Sequence, residues 1–270
     1  MRLGQFYREF SEYYDVTLLT STDFGARYEE IIHKPGFTEL RFPKDEHWRR
    51  AYSALDAAGV SGDLAGLAFL LAVSDPSCRL RCAALELSKD VSVVIHEFPY
   101  SEPIFAEAEN CFEIYNSHNV EACLLPTIVR GPGFESVFLR LLRAEGNLIR
   151  RAAKVFGTSP ADAETFRLLY GAEKARVGVC PNGFSSEELD VVAKVRTAAP
   201  PRSKSRPIIL FSGSGHHPNV EAADFMLQLA EDLPECDFLL AGGVCKLISN
   251  RALPKNVQSY GAFTPNEKLE

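Results

Sequence analysis

Four stretches of this chain place glycine or polar residues directly after a strand-forming run, the position at which open α/β sheets gather ligands. The first is Ser212-Gly213-Ser214-Gly215-His216-His217-Pro218-Asn219, which joins the apolar run Pro207–Ser212 to a helix opening at His217. Glycines let a backbone turn tightly and approach a ligand. A helix N-terminus adds unpaired amides and the positive end of a dipole, the chemistry that holds a phosphate. The spacing is not the G-x-G-x-x-G dinucleotide pattern, and turns of this kind also occur without ligands. The second stretch is Tyr115-Asn116-Ser117-His118-Asn119-Val120-Glu121. His118 can give or take a hydrogen bond near neutral pH, although a lone histidine is more often structural. The third, His96-Glu97-Phe98-Pro99-Tyr100, sets Glu97 and Tyr100 beside an aromatic ring. Such a group could line a sugar pocket or simply end a strand in solvent. The fourth is Pro181-Asn182-Gly183, where Asn-Gly favours positive φ and a tight turn.

Glu145 stands apart from these. Phe134, Phe138, Leu141, Leu142, Leu148, Ile149 and Ala152 trace a helical apolar stripe, and Glu145 falls inside it. A carboxylate there needs a partner or a cleft, and a structural hydrogen-bonding role fits better than catalysis. No Ser-His-Asp, H-E-x-x-H or Walker A pattern occurs.

The elements that must position these groups alternate between strand and helix. Strands are expected at Val16–Thr20, Glu39–Phe42, Val91–His96, Cys111–Tyr115, Lys154–Gly157, Arg176–Cys180, Pro207–Ser212, Asp237–Ala241 and Val257–Tyr260. A helix from about Leu3 to Tyr14 precedes the first. Another is capped by Ser159, carries Pro160 at its first position and Asp162 at its third, and stops at Gly171. The pattern predicts an α/β fold with parallel sheet covered on both faces, the unbroken apolar run Ile208–Phe211 included.

Composition narrows the classes. Hydrophobic residues make up 46% and charged residues 24% of 270, so a buried core is expected and disorder is not. A net charge of -7 argues against a nucleic-acid partner. Seven cysteines, an odd count with no C-x-x-C pair, point to free thiols in a reducing, cytosolic compartment, with no disulfide framework or zinc site. The longest apolar stretch, Leu64 to Val73, is far short of a membrane span, and no secretory signal opens the chain. The small, basic, Pro-rich segment Thr197–Arg206 reads as a linker. It divides the chain into a domain over 1–196 and the opening of a second, doubly wound domain over 207–270. The first domain is expected to lack its leading strand.

In this order, several segments resemble the family-4 retaining glycosyltransferases of the GT-B fold. VFGTSPADAETFRLLYGAEKARVGVCPNG (Val155–Gly183) is similar to the end of that family's acceptor domain. ILFSGSGHHPNVEAADFML (Ile209–Leu227) is similar to the opening strand, glycine loop and helix of its donor domain, and LPKNVQSYGAFTPNEKLE (Leu253–Glu270) to the stretch that follows. HEFPY and YNSHNVEA resemble acceptor-side strand ends of one branch. The resemblance implies two Rossmann-like domains and transfer of a sugar, with retention, from a nucleotide-diphosphate donor to an acceptor hydroxyl. It implies no cofactor and no metal. His118 would lie beside the donor sugar. Gly213, Ser214, Gly215, His217 and Asn219 would face the donor pyrophosphate, with His217 or Lys246 standing in for the family's basic residue. Asn182 and Gly183 would form the hinge-side turn at the cleft. Glu97, Tyr100, Asn119 and Glu121 would lie on the acceptor side. The implied partners are a nucleotide sugar and a glycan or lipid-linked acceptor used in polysaccharide, lipopolysaccharide or glycoconjugate synthesis, at a site open to contact with the inner face of a membrane. In that pattern the paired glutamates E-x7-E fall beyond Glu270, and the first strand and its glycine loop fall before residue 1, with Gly4 a remnant. The open alternative is a non-catalytic GT-B remnant, a binding or scaffold module that self-associates through a half-built sheet.

Overall fold

A computed structural model describes residues 2–106, 112–183, 186–198, 206–215 and 217–262. The chain forms two compact units, Met1–Gly183 and Phe184–Glu270. The helix Ser186–Ala198 therefore groups with the second unit, whereas the sequence reading drew the division at the Pro-rich segment beginning at Thr197. Residues 199–205 of that segment, Cys111 and His216 lie outside the described residues.

The first unit runs α1 (Arg2–Phe10), β1 (Val16–Phe24), β2 (Glu29–Lys34), β3 (Phe37–Lys44), α2 (Glu46–Ala57), β4 (Ser61–Gly62), α3 (Ala65–Val73), α4 (Arg79–Ser88), β5 (Val93–His96), α5 (Glu102–Phe105), β6 (Phe112–Asn116), α6 (Glu121–Ile128), β7 (Val129–Arg130), α7 (Phe134–Arg151), β8 (Lys154–Gly157), α8 (Pro160–Tyr170) and β9 (Val177–Val179). The sheet that positions the candidate site is β5-β6-β8-β9, and every pairing in it is parallel. All four carboxyl ends therefore fall on one edge. Leu148 and Ile149 of α7, Phe166 of α8, Tyr115 and Val155 form its buried core. A second core packs Trp48 and Leu55 of α2 against Leu67 of α3, Leu125 of α6 and Leu141 of α7.

The helix ends follow local chemistry. Ser159 accepts from the Asp162 amide and caps α8, while Gly171 closes that helix in the left-handed region at φ 66°. Asp45 accepts from the His47 amide and caps α2.

The structure corrects the sequence reading in two places here. Strand β2 was not expected. It forms an antiparallel hairpin with β3 through Pro35-Gly36, and Gly36 takes the positive φ (79°) that the second position of such a turn requires. The sheet is thus β1-β3-β2, and only its β1–β3 pairing is parallel. β2 hid because the charged sequence EEIIHK dilutes its apolar period; it is an edge strand and Ile32 is exposed.

The second correction concerns burial in the second unit. That unit runs α9 (Ser186–Ala198), β10 (Ile208–Ser212), α10 (His217–Asp232), β11 (Asp237–Ala241), α11 (Val244–Ile248) and β12 (Val257–Ser259). Its sheet, β10-β11-β12, is wholly parallel. Strand order advances in one direction, so right-handed crossovers put α10 and α11 on the same face. Ile209 and Phe211 pack under them with Phe238 and Leu240. Ile208 and Leu210 point the other way and are 40% and 64% exposed. Among the described residues β10 alternates and is not buried on both faces.

Among the described residues no helix is long and apolar enough to cross a membrane, and no group of three or more His, Cys, Asp or Glu side chains is arranged to hold a metal ion. Among the described residues no disulfide joins Cys78, Cys82, Cys123, Cys236 or Cys245.

Candidate functional site

The shared edge of β5, β6, β8 and β9 gathers the polar groups that follow each strand. Glu97, next after β5, is the focus. His118, two residues beyond β6, meets Glu97 Oε2 through Nε2 at 2.8 Å. A carboxylate only accepts, so the ring N–H donates from Nε2. Asn116 Nδ2 donates to both oxygens of Glu97, at 3.1 and 3.2 Å. The Tyr7 hydroxyl, from α1, also donates to Glu97. Phe98 stacks on the His118 ring with centroids 4.5 Å apart and planes 28° from parallel. A carboxylate held by three donors fixes a histidine, and a phenyl face sets that histidine's plane.

Behind this pair lies a second polar layer. Tyr100 stacks on Phe98 at 6.2 Å and donates to Glu121 Oε2 at 2.7 Å. Glu121 is buried, and burial raises its carboxyl above the usual range against the hydrogen bond from Tyr100. Burial likewise drives the Tyr100 phenol up, and the neighbouring Glu121 adds to the shift. Asn119 is exposed, and its carbonyl accepts from Ser117.

Glu145 finds the partners its place in the stripe demanded. It is 0% exposed. Oε1 accepts from the Glu121 amide and the Tyr115 hydroxyl, each at 3.0 Å. Oε2 accepts from the Ala122 amide at 3.1 Å and the Tyr170 hydroxyl at 2.6 Å. Burial raises its pKa, and these bonds oppose the rise. A separate buried cluster braces β5 and β6 from below. His96 meets Glu113 at 2.8 Å, and Arg151 donates to Glu113 and, at 3.1 Å, to Glu102. Burial pushes the Glu113 carboxyl up, but the bonds from His96 and Arg151 outweigh it and leave the group below its ordinary value.

Asn182 and Gly183 lie on the same edge, past β9, and are exposed. Gly183 is not among the positive-φ glycines, and Pro181–Gly183 continues as irregular backbone. The Cys180 amide bonds to the Gly157 carbonyl at 2.9 Å, so at that residue the chain still runs alongside β8.

The glycine loop belongs to the other unit. Gly213, Ser214 and Gly215 follow β10, and His217 opens α10. Asn219 Nδ2 reaches back to Ser214, 3.2 Å from its carbonyl and 3.0 Å from its hydroxyl, and holds the loop closed over the helix start. The sequence reading overlooked the loop's neighbour, Gly242-Gly243 after β11. Gly242 has φ 94°, and a Cβ on it would stand 2.3 Å from the Gly213 carbonyl oxygen. The Val244 amide donates to that same oxygen at 3.1 Å. Gly261, past β12, accepts from the Gly242 amide. Each of the three strands is thus followed within two residues by a glycine. Leu240-Ala241-Gly242-Gly243 carried the same strand-then-glycine signal as Phe211-Ser212-Gly213. The roles of Tyr7 and Asn116 had no sequence signal, because only folding brings them to Glu97. Lys246 is exposed on α11.

Comparison with known proteins identifies the architecture. Sucrose-phosphate synthase from Thermosynechococcus elongatus superposes on 97% of this chain and 65% of its own, with TM-score 0.61 and 14% identity. The E. coli trehalose-6-phosphate protein bound with UDP-2-fluoro glucose matches 100% of this chain and 72% of its own, at TM-score 0.63 and 10% identity. The fold is GT-B. The alpha,alpha-trehalose 6-phosphate synthase of Burkholderia multivorans agrees, at TM-score 0.56 and 9% identity over 94% of this chain and 67% of its own. This GT-B chain thus spans 65% of the length of the sucrose-phosphate synthase it matches. No protein-family model and no curated protein sequence matches it.

Proposed function

We propose that this chain is the acceptor-side unit and part of the donor-side unit of a family-4 glycosyltransferase. The reaction moves a sugar from a nucleoside diphosphate to an acceptor hydroxyl with retention, in polysaccharide, lipopolysaccharide or glycoconjugate synthesis. The observation that carries this reading is the His118–Glu97 pair at the carboxyl edge of a parallel sheet in a GT-B chain. A solved protein of this fold holds UDP-2-fluoro glucose, which fits a nucleotide-sugar donor.

In the reaction the bond from the anomeric carbon to the diphosphate oxygen breaks. The acceptor oxygen bonds to that carbon on the same face and passes its proton to the departing diphosphate oxygen, and the nucleoside diphosphate leaves. His118, oriented by Glu97, hydrogen-bonds the donor sugar near the reacting carbon. Tyr100, Asn119 and Glu121 shape the acceptor side, and Asn182 and Gly183 border it past β9. Gly213 gives the loop its close turn after β10, the amides of Ser214 and Gly215, with His217 and Asn219 at the start of α10, take the diphosphate, and Lys246 is the cation nearest in sequence to the second glycine pair. Fixed dipoles of this kind stabilise a leaving diphosphate without a metal or cofactor. The reaction takes place in the cytoplasm, at the inner face of the membrane when the acceptor is lipid-linked.

The test has two parts. Calorimetric titration with millimolar UDP, GDP and ADP is expected to give binding heat with one of them. His118→Ala is expected to keep that binding and to slow sugar release from the matching nucleotide sugar, UDP-glucose where UDP binds, by about 10²–10⁴. Turnover unchanged in His118→Ala would overturn the role given to the histidine. A second reading, a binding module that pairs with another copy, is favoured by the exposed Ile208 and Leu210 on β10. A monomer in light scattering would count against it.

A further inference from the structure

The buried carboxylate of Glu145 holds both sides of the His118 segment at once. Tyr115 precedes His118 and Glu121 follows it. Oε1 of Glu145 takes the Tyr115 hydroxyl and the Glu121 amide, each at 3.0 Å. Oε2 takes the next amide, Ala122, and the hydroxyl of Tyr170 at the end of α8. Helix α6 needs this help. Its N-cap is Val120, whose side chain makes no capping bond. The amides at a helix start are orphans unless an acceptor reaches them. Here the acceptor comes from α7, far along the chain, and has no exposure to solvent. Water therefore does not compete for these bonds.

From this geometry we infer that Glu145 is a positioning residue for His118. It clamps the end of β6 and the start of α6 to one rigid point, so that the loop between them can present the imidazole to Glu97 and Phe98 in one orientation only. A helix cap alone would bind the amides. The Tyr115 hydroxyl on the same oxygen makes it a clamp, because it ties the strand side of the loop to the helix side. The inference rests on the reading of His118 given above, but its test does not depend on turnover.

The test is a ring-current measurement on the whole chain. His118 stacks on Phe98 with ring centroids 4.5 Å apart, so its ring protons carry an upfield shift. Phe98→Leu sets the zero of that shift. In Glu145→Gln one oxygen becomes an amide that cannot accept from a backbone N–H, while side-chain size is kept. The His118 ring resonances are expected to move most of the way toward their Phe98→Leu positions. Tyr170→Phe leaves both amides and Tyr115 in place and is expected to leave the resonances at native values. In turnover, Glu145→Gln is expected to lower kcat about tenfold to a hundredfold with KM little changed, the mark of a misplaced group. If Glu145→Gln does not fold, Tyr115→Phe carries the same reading, with a smaller shift of the same sign. A variant that melts earlier yet keeps the native His118 resonances would overturn the clamp and leave Glu145 a structural cap. Full turnover in His118→Ala would instead sink the catalytic reading, and the spectrum alone would then judge the clamp.

Discussion

Two edges of this molecule have the same construction and opposite chemistry. In the first unit the carboxyl ends of four parallel strands present side chains: Glu97, Asn116, His118 and, behind them, Tyr100 and Glu121. In the second unit the carboxyl ends of three parallel strands present glycines: Gly213, Gly242 and Gly261. Parallel sheets supply the same thing in both cases, an edge where several loops converge. The difference lies in what fills it. A side-chain edge needs buried scaffolding to hold its groups, and Glu145, Glu113 and Arg151 provide it. A glycine edge needs only room, because there backbone packs directly on backbone: the Gly213 amide bonds to the Ala241 carbonyl and the Gly242 amide to that of Gly261.

Substitutions can break each edge in its own way. The largest stability effect is expected at the glycine edge. Gly242→Ala puts a Cβ 2.3 Å from a backbone oxygen, at a φ of 94° that L-residues avoid. Neither the oxygen nor the φ can yield cheaply, and a loss on the order of 3 kcal/mol is expected in thermal unfolding of the second unit. An unchanged melting curve would mean that the glycine edge is not close-packed.

At the side-chain edge the matching substitution is Gly66→Ala. A Cβ on Gly66 of α3 would stand 2.3 Å from Tyr100 Cζ. The ring must turn away, and its hydrogen bond to Glu121 breaks. Overpacking outweighs the better helix propensity of alanine, for a net loss of about 1–2 kcal/mol. Loss of the Tyr100–Phe98 ring contact, read by nuclear Overhauser effects, would mark the cause. Retention of that contact with full stability would show that Tyr100 is not held as described.

A smaller effect is expected from Ser159→Ala, just past β8. It removes the cap that accepts from Asp162 and costs about 1 kcal/mol, read by denaturant titration.

A last effect separates the carboxylates by pH. Glu39, on β3, is bonded by Arg41, His33 and Thr20, and Arg41 above all holds its pKa down to about 2. Its folded value lies below its unfolded one, so its stabilisation is present above about pH 4.5 and fades as the pH falls toward 2. Glu121 and Glu145 are shifted the other way by burial, so acid does not withdraw support from them in that window. The stability gap between the native chain and Glu39→Gln should close as the pH drops from 5 to 2.5. A gap that widened would reverse the assignment.

Much of this was legible before folding. The strand and helix alternation, the cap at Ser159, the stop at Gly171 and the anomaly of Glu145 all depend on neighbours within a few residues, and local propensity and period record such features directly. Most strand bounds differ by a residue or two, as at Val93–His96 against Val91–His96, and β1 runs four residues further, to Phe24, because strand ends depend on the partner strand. The hairpin β2–β3 was signalled only by Pro35-Gly36 between two charged runs.

What the sequence determined by itself was which groups are available: a histidine, a carboxylate and an aromatic ring after two strands, glycines after others, and one carboxylate misplaced in an apolar stripe. Tertiary structure decided which of them meet. Tyr7 reaches Glu97 from the other end of the unit, Glu145 reaches two amides that its own helix could never offer, and Gly242 is forced to be glycine by the Gly213 carbonyl across the sheet. The physical reason is range. Propensity and periodicity act over one or two turns of chain, whereas a hydrogen bond or a van der Waals contact is indifferent to sequence separation and forms only once the sheet has set its strands side by side.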